Sequence, residues 1–410
     1  MNDTTLQDAS VRATPRPGAL SGLARPLVLS RLGTLQHGRL RLREGDREYD
    51  YGRGDAHPVT VDVLDAAFFA EIAYGGSVGA GESYMLGHWE TDDLTGLLRL
   101  FLRNRAAMES LESGLARMSA PLRRFAHSMH RNTRAGSRRN IHAHYDLGND
   151  FFRLMLDPTL MYSCALYEHP GMSLAEASVA KIDALCRKLQ LTSNDHLLEI
   201  GSGWGGFALH AASRYGCRVT TTTISKNQFD LAKARIAEAG LDERIEVLLR
   251  DYRDLDGTFD KVVSIEMIEA IGHTYFGEFF RVASERLKPG GRMVLQSITI
   301  AEQYYEQARD CVDFIKRYIF PGCCIPSVGA LTQAMAVSDL RLEHLENIGP
   351  HYARTLAHWR DNFEAHSDEV RALGYPETFY RMWTYYLCYC EAGFAEAALG
   401  NAQLVMTRQG

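Results

Sequence analysis

Apolar and polar positions follow two different rhythms along this chain, and the rhythm changes near its middle. In the first part, alternation by twos over Leu40 to Tyr51 and Val59 to Leu64 predicts short strands. Helical spacing over Asp65 to Tyr74 and Leu94 to Phe101 predicts helices. Together these make a small α+β module. From about His196 onward, short apolar runs alternate with longer amphipathic stretches. His196 to Ile200, Arg218 to Ile224, Glu246 to Leu249, Lys261 to Ile265 and Arg292 to Leu295 read as strands; Lys226 to Ala239 and Phe276 to Leu287 read as helices. Strand and helix in alternation imply an α/β fold, a doubly wound and mostly parallel sheet that binds ligands at the carboxyl ends of its strands.

Between the two rhythms lies a stretch with a pattern of its own. Leu111, Leu115, Met118, Leu122, Phe125 and Met129 recur at steps of four and three, which places them on one helical face, and Pro121 is expected to divide the segment into two helices. Seven arginines fall between Arg117 and Arg139, while no acidic residue occurs between Glu112 and Asp146. Such a face is either a solvated helix surface or a contact for the anionic phospholipid surface of a membrane. The domain boundary is placed here: a flexible leader over residues 1–30, rich in Pro, Gly and Ser; an N-terminal domain over 31–120; and a second domain over 121–410.

Composition narrows the classes. A chain of 410 residues has room for two cores. The net charge of −6 means that attraction to an acidic partner must come from a local patch, and no nucleic-acid partner is expected. No apolar run approaches the ~20 residues that span a bilayer. The start of the chain is polar, with Asp3 and Asp8, so a cytoplasmic protein is expected. Eight cysteines without a Cys-x-x-Cys pair read as reduced thiols rather than a zinc site.

Candidate chemistry begins at Gly201-Ser202-Gly203-Trp204-Gly205-Gly206, directly after a predicted strand. Gly201, Gly203 and Gly206 also fit a dinucleotide fingerprint, which alone is weak. A nicotinamide enzyme would place an acid at the end of the next strand to hold the ribose, and this strand ends Thr221-Thr222-Thr223-Ile224. Glu199 before the glycines, Asp251 after the third strand and Leu287-Lys288-Pro289-Gly290-Gly291 before the fifth together resemble a class I S-adenosylmethionine methyltransferase.

Longer motifs sharpen the resemblance. His144-Tyr145-Asp146-Leu147-Gly148-Asn149-Asp150-Phe151-Phe152 and Leu156 to Cys164 are similar to the start of the catalytic domain of cyclopropane fatty acid synthases and mycolic acid cyclopropane synthases. So are Ile265-Glu266-Met267-Ile268-Glu269-Ala270-Ile271-Gly272, Phe314 to Gly322, and Tyr385-Tyr386-Leu387 with Cys390 and Phe394. Gly81-Glu82-Ser83-Tyr84-Met85, with Gly87 and Trp89, resembles the N-terminal domain of that family. The resemblance implies a cofactor pocket lined by Tyr145, Tyr162, Ser163, Gly201, Gly203, Trp204, Thr223, Ile224, Gln228 and Tyr252. It also implies a bicarbonate ion that serves as base, held by Cys164, Glu269, Ile298 and Tyr318, with Glu266 a competing carboxylate. The fifth position of that set is usually histidine and is here Gln296. Cys390 matches the C-terminal cysteine of the family, a candidate nucleophile or a buried structural thiol. A homodimer at the inner face of a membrane is implied as well.

The chemistry explains why such groups are wanted. An alkene is a poor nucleophile, so a methyl donor must be held in line with it. A carbocation then forms, and closing a cyclopropane requires a base beside the added methyl in a site that excludes water. Aromatic faces such as Tyr318 and Phe320 either stabilise that cation or pack the core. A glutamine cannot shuttle a proton as imidazole can, so Gln296 leaves a methyl- or methylene-branched product open. Methylation of a small amine, or a non-catalytic lipid-binding scaffold, are the further alternatives.

Overall fold

The structure is a computed structural model that describes residues 21–54, 57–105 and 147–410. Tyr145 and the arginine-rich segment Arg117 to Arg139 lie outside the described residues. The chain divides into two compact units, one formed by residues 1–123 with 376–386 and the other by 124–375 with 387–410.

In the first unit, the alternating run around Leu40 is a hairpin, β1 (Gly38–Glu44) and β2 (Arg47–Arg53). β3 (Val59–Val63) pairs parallel to β1, and β4 (Trp89–Thr91) closes the order β2-β1-β3-β4. Helix α1 (Ser21–Leu32) occupies the last part of the segment expected as a leader. α2 (Ala67–Met85) runs beyond the predicted Tyr74, and Gly76 bends it with φ +61°. α3 (Leu94–Arg103) starts on an Asp93 side chain that accepts from the Gly96 N–H at 2.7 Å, a regular N-cap. Residues 376–386 join this unit because Arg381 donates to the Tyr84 and Trp89 carbonyls at 2.6 and 3.0 Å.

The second unit is built on seven strands in the order β10-β11-β9-β8-β5-β6-β7. Here β5 is His196–Ile200, β6 Arg218–Thr223, β7 Ile245–Leu249, β8 Phe259–Ile265, β9 Leu287–Ile300, β10 Leu340–Asn347 and β11 Leu399–Arg408. All neighbours from β7 to β9 are parallel, and β11 runs antiparallel to β9 and β10. The strand order reverses between β5 and β8, which is where a doubly wound sheet opens a crevice for ligands. β9 is far longer than the predicted Arg292 to Leu295, because its extension to Ile300 pairs with β11.

Apolar side chains fill both faces of this sheet. Leu197, Leu198, Val262, Val263, Met293, Val294 and Leu295 are inaccessible to solvent. The threonines of β6 are also buried, and their hydroxyls are paired: Thr221 with Glu199, Thr222 with the Leu248 and Arg250 carbonyls, Thr220 with His196. A β-branched strand that satisfies its own hydroxyls loses little by burial. Helix α4 (Gly148–Met155) precedes the sheet, and α5 (Leu174–Leu189) begins with a capping box between Ser173 and Glu176.

Candidate active site

The first group of site residues surrounds the turn after β5. The strand stops at Ile200 because Gly201 and Gly203 take φ +99° and +48°, conformations that favour glycine. The Gly201 and Ser202 N–H groups both donate to the Thr222 carbonyl, at 3.0 and 2.9 Å, which ties the turn to β6. A Cβ added at Gly201 would stand 3.2 Å from the Met267 side chain, whereas one at Gly203 would meet nothing within 4 Å. The turn is therefore closed toward β8 and open at Gly203. Helix α6 (Gly206–Tyr215) starts directly behind it.

Gly206 fixes how closely that helix approaches the preceding loop. A Cβ there would stand 2.4 Å from the Thr159 carbonyl oxygen, a backbone atom that cannot rotate away. Gly206→Ala is thus expected to push helix and loop apart, at a cost of about 1–3 kcal/mol as for other overpacked sites. Calorimetry with S-adenosylhomocysteine should show affinity reduced by roughly tenfold or more. Unchanged affinity and melting midpoint would contradict that packing argument.

Aromatic rings and polar tips line the same region. Trp204 is 2% exposed, donates Nε1–H to Asn149 Oδ1 at 2.8 Å, and packs on Phe152 with ring centroids 4.8 Å apart. Tyr162 lies between Phe152 and Trp359, at 5.3 and 5.1 Å. Ser163 Oγ accepts from the buried Lys181 ammonium at 2.8 Å, so its own proton is available to a further acceptor. The Thr223 hydroxyl donates to Gln228 Oε1 at 2.9 Å, which orients that amide beyond the end of β6; Ile224 follows, half-buried. The Tyr252 hydroxyl is buried with no partner among the described residues, and burial pushes its pKa well above the usual range. Asp251, in contrast, is committed to Arg253 through contacts of 2.9 and 2.7 Å and holds its own turn. Open glycine backbone, apolar rings and an orphaned hydroxyl at the switch point fit an adenosyl cofactor, with Gln228 placed to hold a ribose.

The second group gathers beyond β8 and β9. Glu269 Oε1 accepts from the Ser297 hydroxyl at 2.9 Å and from the Ile298 N–H, while its Oε2 is buried with no partner among the described residues. Burial, with the neighbouring Glu266 carboxylate, pushes the Glu269 pKa up to about 8. Glu266 binds more donors than Glu269 does. It accepts from the Cys164 N–H, Gln296, Asn401 and Tyr352, at 2.9, 2.8, 2.6 and 2.7 Å. Tyr318 sits on a π-helical turn (Ile315–Ile319), its ring 5.1 Å from Phe314.

Neither cysteine is poised as a nucleophile. The Cys164 thiol is fully buried, donates to the Ala165 carbonyl at 3.3 Å, and is raised well above its usual pKa by burial and by Glu266. Cys390 takes part in no hydrogen bond with this network among the described residues; desolvation and the Asp313 carboxylate raise its thiol likewise.

The expected bicarbonate does not fit this donor set. The Cys164 N–H and the Gln296 amide already donate to Glu266, and the Ile298 N–H already donates to Glu269. An incoming anion would have to displace one carboxylate and stand beside the other. Gln296 is also locked from behind, since Gln403 Nε2 donates to its Oε1 at 2.9 Å.

Lys181, Tyr352, Asn401 and Gln403 are the members that the sequence reading passes over. Lys181 carried a signal, because it stands four residues from both Ala177 and Leu185 on the apolar face of α5. Asn401 and Gln403 alternate with Ala402 and Leu404, and only the register of β11 on β9, with Gln403 opposite Gln296, brings them to the site.

Among the described residues no group of His, Cys, Asp or Glu is arranged to hold a metal, and no helix is long and apolar enough to cross a membrane.

Comparison with known proteins gives this arrangement a family. Residues 132–404 match the model of the mycolic acid cyclopropane synthetase family. The chain is 38% identical over 352 residues to tuberculostearic acid methyltransferase of Mycobacterium tuberculosis, covering 84% of this chain and 82% of that protein. It is 37% identical over 353 residues to cyclopropane-fatty-acyl-phospholipid synthase of Escherichia coli K12, covering 86% and 88%. Among solved structures, the mycolic acid cyclopropane synthase CmaA1 with SAH and CTAB superposes with a TM-score of 0.62 at 32% identity, covering 66% of this chain and 98% of that one. By this match and these identities, the chain belongs to the mycolic acid cyclopropane synthetase family of S-adenosylmethionine-dependent methyltransferases.

Proposed function

We propose that this enzyme methylates the double bond of an unsaturated phospholipid acyl chain and closes the product to a cyclopropane. The observation that carries the reading is the carboxylate pair beyond β8, Glu269 buried and Glu266 half-buried within its ring of donors. A carbocation formed on an acyl chain needs negative charge and a proton acceptor in a dry site, and an amine acceptor needs neither a cation cradle nor a second carboxylate. The bound cofactor supplies an electrophilic methyl group. The chain's own residues orient it through Ser163 and Gln228, exclude water with Trp204, Tyr162 and Phe152, and present aromatic faces such as Tyr318 to the developing positive charge.

A second reading keeps the first step and changes the product. Gln296, pinned between Gln403 and Glu266, cannot shuttle a proton as histidine does, which favours a methyl- or methylene-branched chain. The name of the tuberculostearic acid relative supports the same alternative. Access to the lipid is assigned to the Arg117 to Arg139 segment on an anionic membrane surface, with the enzyme a homodimer bound peripherally at the cytoplasmic face.

The test is incubation with vesicles of monounsaturated anionic phospholipid and methyl-labelled cofactor. Labelled acyl chains with ring CH2 protons by NMR are expected, as is vesicle binding that weakens as salt rises. Labelled methyl branches without a ring would select the second reading. Labelling of a soluble amine and of no lipid would overturn both.

A further inference from the structure

The donors that converge on Glu266 say more than that a bicarbonate ion does not fit among them. Oε1 of Glu266 accepts from the Cys164 N–H, Gln296 Nε2 and Asn401 Nδ2; among the described residues Oε2 accepts from the Tyr352 hydroxyl alone, and keeps a lone pair to spare. Every one of these partners is a donor, so the Glu266 carboxyl serves this network as an acceptor. Gln296 and Asn401 are themselves fully buried, and the Gln403 bond to Gln296 Oε1 fixes which end of that amide faces Glu266. The backbone of Glu266 stands at φ +49°, a conformation that L side chains avoid, and its N–H donates to the Gln296 carbonyl at 2.8 Å. Strained backbone held by surrounding bonds is found where a side chain is aimed for function. Glu266 is also half-buried, whereas its partners are buried, so it reaches the open side of the network.

Resting on the acyl-chain reading above, we propose that Glu266 stands in the place of an exogenous bicarbonate and is itself the base that deprotonates the newly added methyl. In that step a C–H bond of the methyl breaks, and its electron pair becomes the new carbon–carbon bond to the cationic chain carbon. The proton goes to Glu266 Oε2. Cation and carboxylate are both neutralised, and the proton returns to solvent after product leaves. A branched methylene product loses its proton from the same carbon, so the assignment holds for either product. An internal carboxylate also outcompetes a free anion for the same donors because it is always present at high effective concentration.

The test measures turnover of the full-length enzyme on monounsaturated phospholipid vesicles, in carbon-dioxide-depleted buffer and with added bicarbonate. The wild type is expected to run at the same rate, within about twofold, in both. Glu266→Gln, which fills the space without a base, is expected to be slower by about 10²-fold or more while binding S-adenosylhomocysteine normally by calorimetry. Glu266→Gly opens the cradle and relaxes the backbone, and its lost rate should return in part with added formate or bicarbonate, which a purely structural role would not allow. A wild type that falls tenfold on depletion and recovers with bicarbonate overturns the proposal, as does a Glu266→Gln enzyme as fast as wild type. If the wild type turns over no unsaturated phospholipid in either buffer, the acyl-chain reading itself falls, and the role of Glu266 with it.

Discussion

Replacing Lys181 by methionine is expected to destabilise the catalytic unit by about 1–3 kcal/mol, the usual cost of leaving a buried polar group, here Ser163 Oγ, without its hydrogen-bond partner. Lys181 has no solvent exposure, and its ammonium makes one hydrogen bond among the described residues, to Ser163 Oγ. Burial lowers its pKa to about 8, against the opposing pull of Glu266, Cys164, Asp157 and Glu199. Methionine has nearly the same length and leaves no large cavity, which isolates the loss of charge from loss of packing. At the usual ~2–4 °C per kcal/mol for a unit of this size, the melting midpoint should fall by roughly 2–12 °C. The KM for the cofactor should rise as well, since Ser163 loses the donor that orients its hydroxyl. An unchanged midpoint would show that the Lys181–Ser163 bond contributes nothing to stability.

Lys181 also illustrates what the sequence discloses. The strands and helices of the second unit follow from periodicity, because each buries one face against a continuous core and its residues must repeat accordingly. The glycine turn is legible for a similar reason: Gly201 and Gly203 occupy backbone that other residues reach only at a cost. The length of β9 was not legible. Its last residues pair with β11, about a hundred positions further along, and nothing local marks that partnership.

The carboxylates show the same limit more sharply. Family motifs direct attention to Glu269, which lies in the site with one oxygen unpartnered among the described residues, but they do not reveal that Glu266 holds the donors assigned to an ion. Those donors come from a loop, from β9, from β11 and from Tyr352, segments spread over more than half of the second unit. Only the β11–β9 register, with Asn401 opposite Ile298 and Gln403 opposite Gln296, puts two amides at one carboxylate. An isolated Asn or Gln in a strand reads as an edge or a turn; two buried amides in register on neighbouring strands read as a polar network, and that pairing is a property of the sheet.

Glu199 lets the cost of such buried acids be measured apart from catalysis. It is 2% exposed between β5 and β6, with Thr221 donating to it at 2.6 Å. Burial raises its pKa from 4.5 to about 8, opposed by the Thr221 bond and by Lys181. The folded protein therefore keeps this proton between those values while the unfolded chain releases it. Its stabilising contribution is complete below the unfolded value and is lost as pH rises through the folded one. Glu199→Gln removes the titration and keeps an acceptor for Thr221. Between about pH 5 and pH 8 the wild type should lose about 3 kcal/mol more stability than the variant, a divergence of roughly 6–12 °C in melting midpoint. Glu269, raised to about 8 by the same cause, titrates alike in both proteins and cancels, and the depressed Lys181 affects stability mainly above this window. Parallel melting curves for the two proteins would mean that Glu199 is ionised in the folded state at neutral pH, held by Lys181 rather than by its proton.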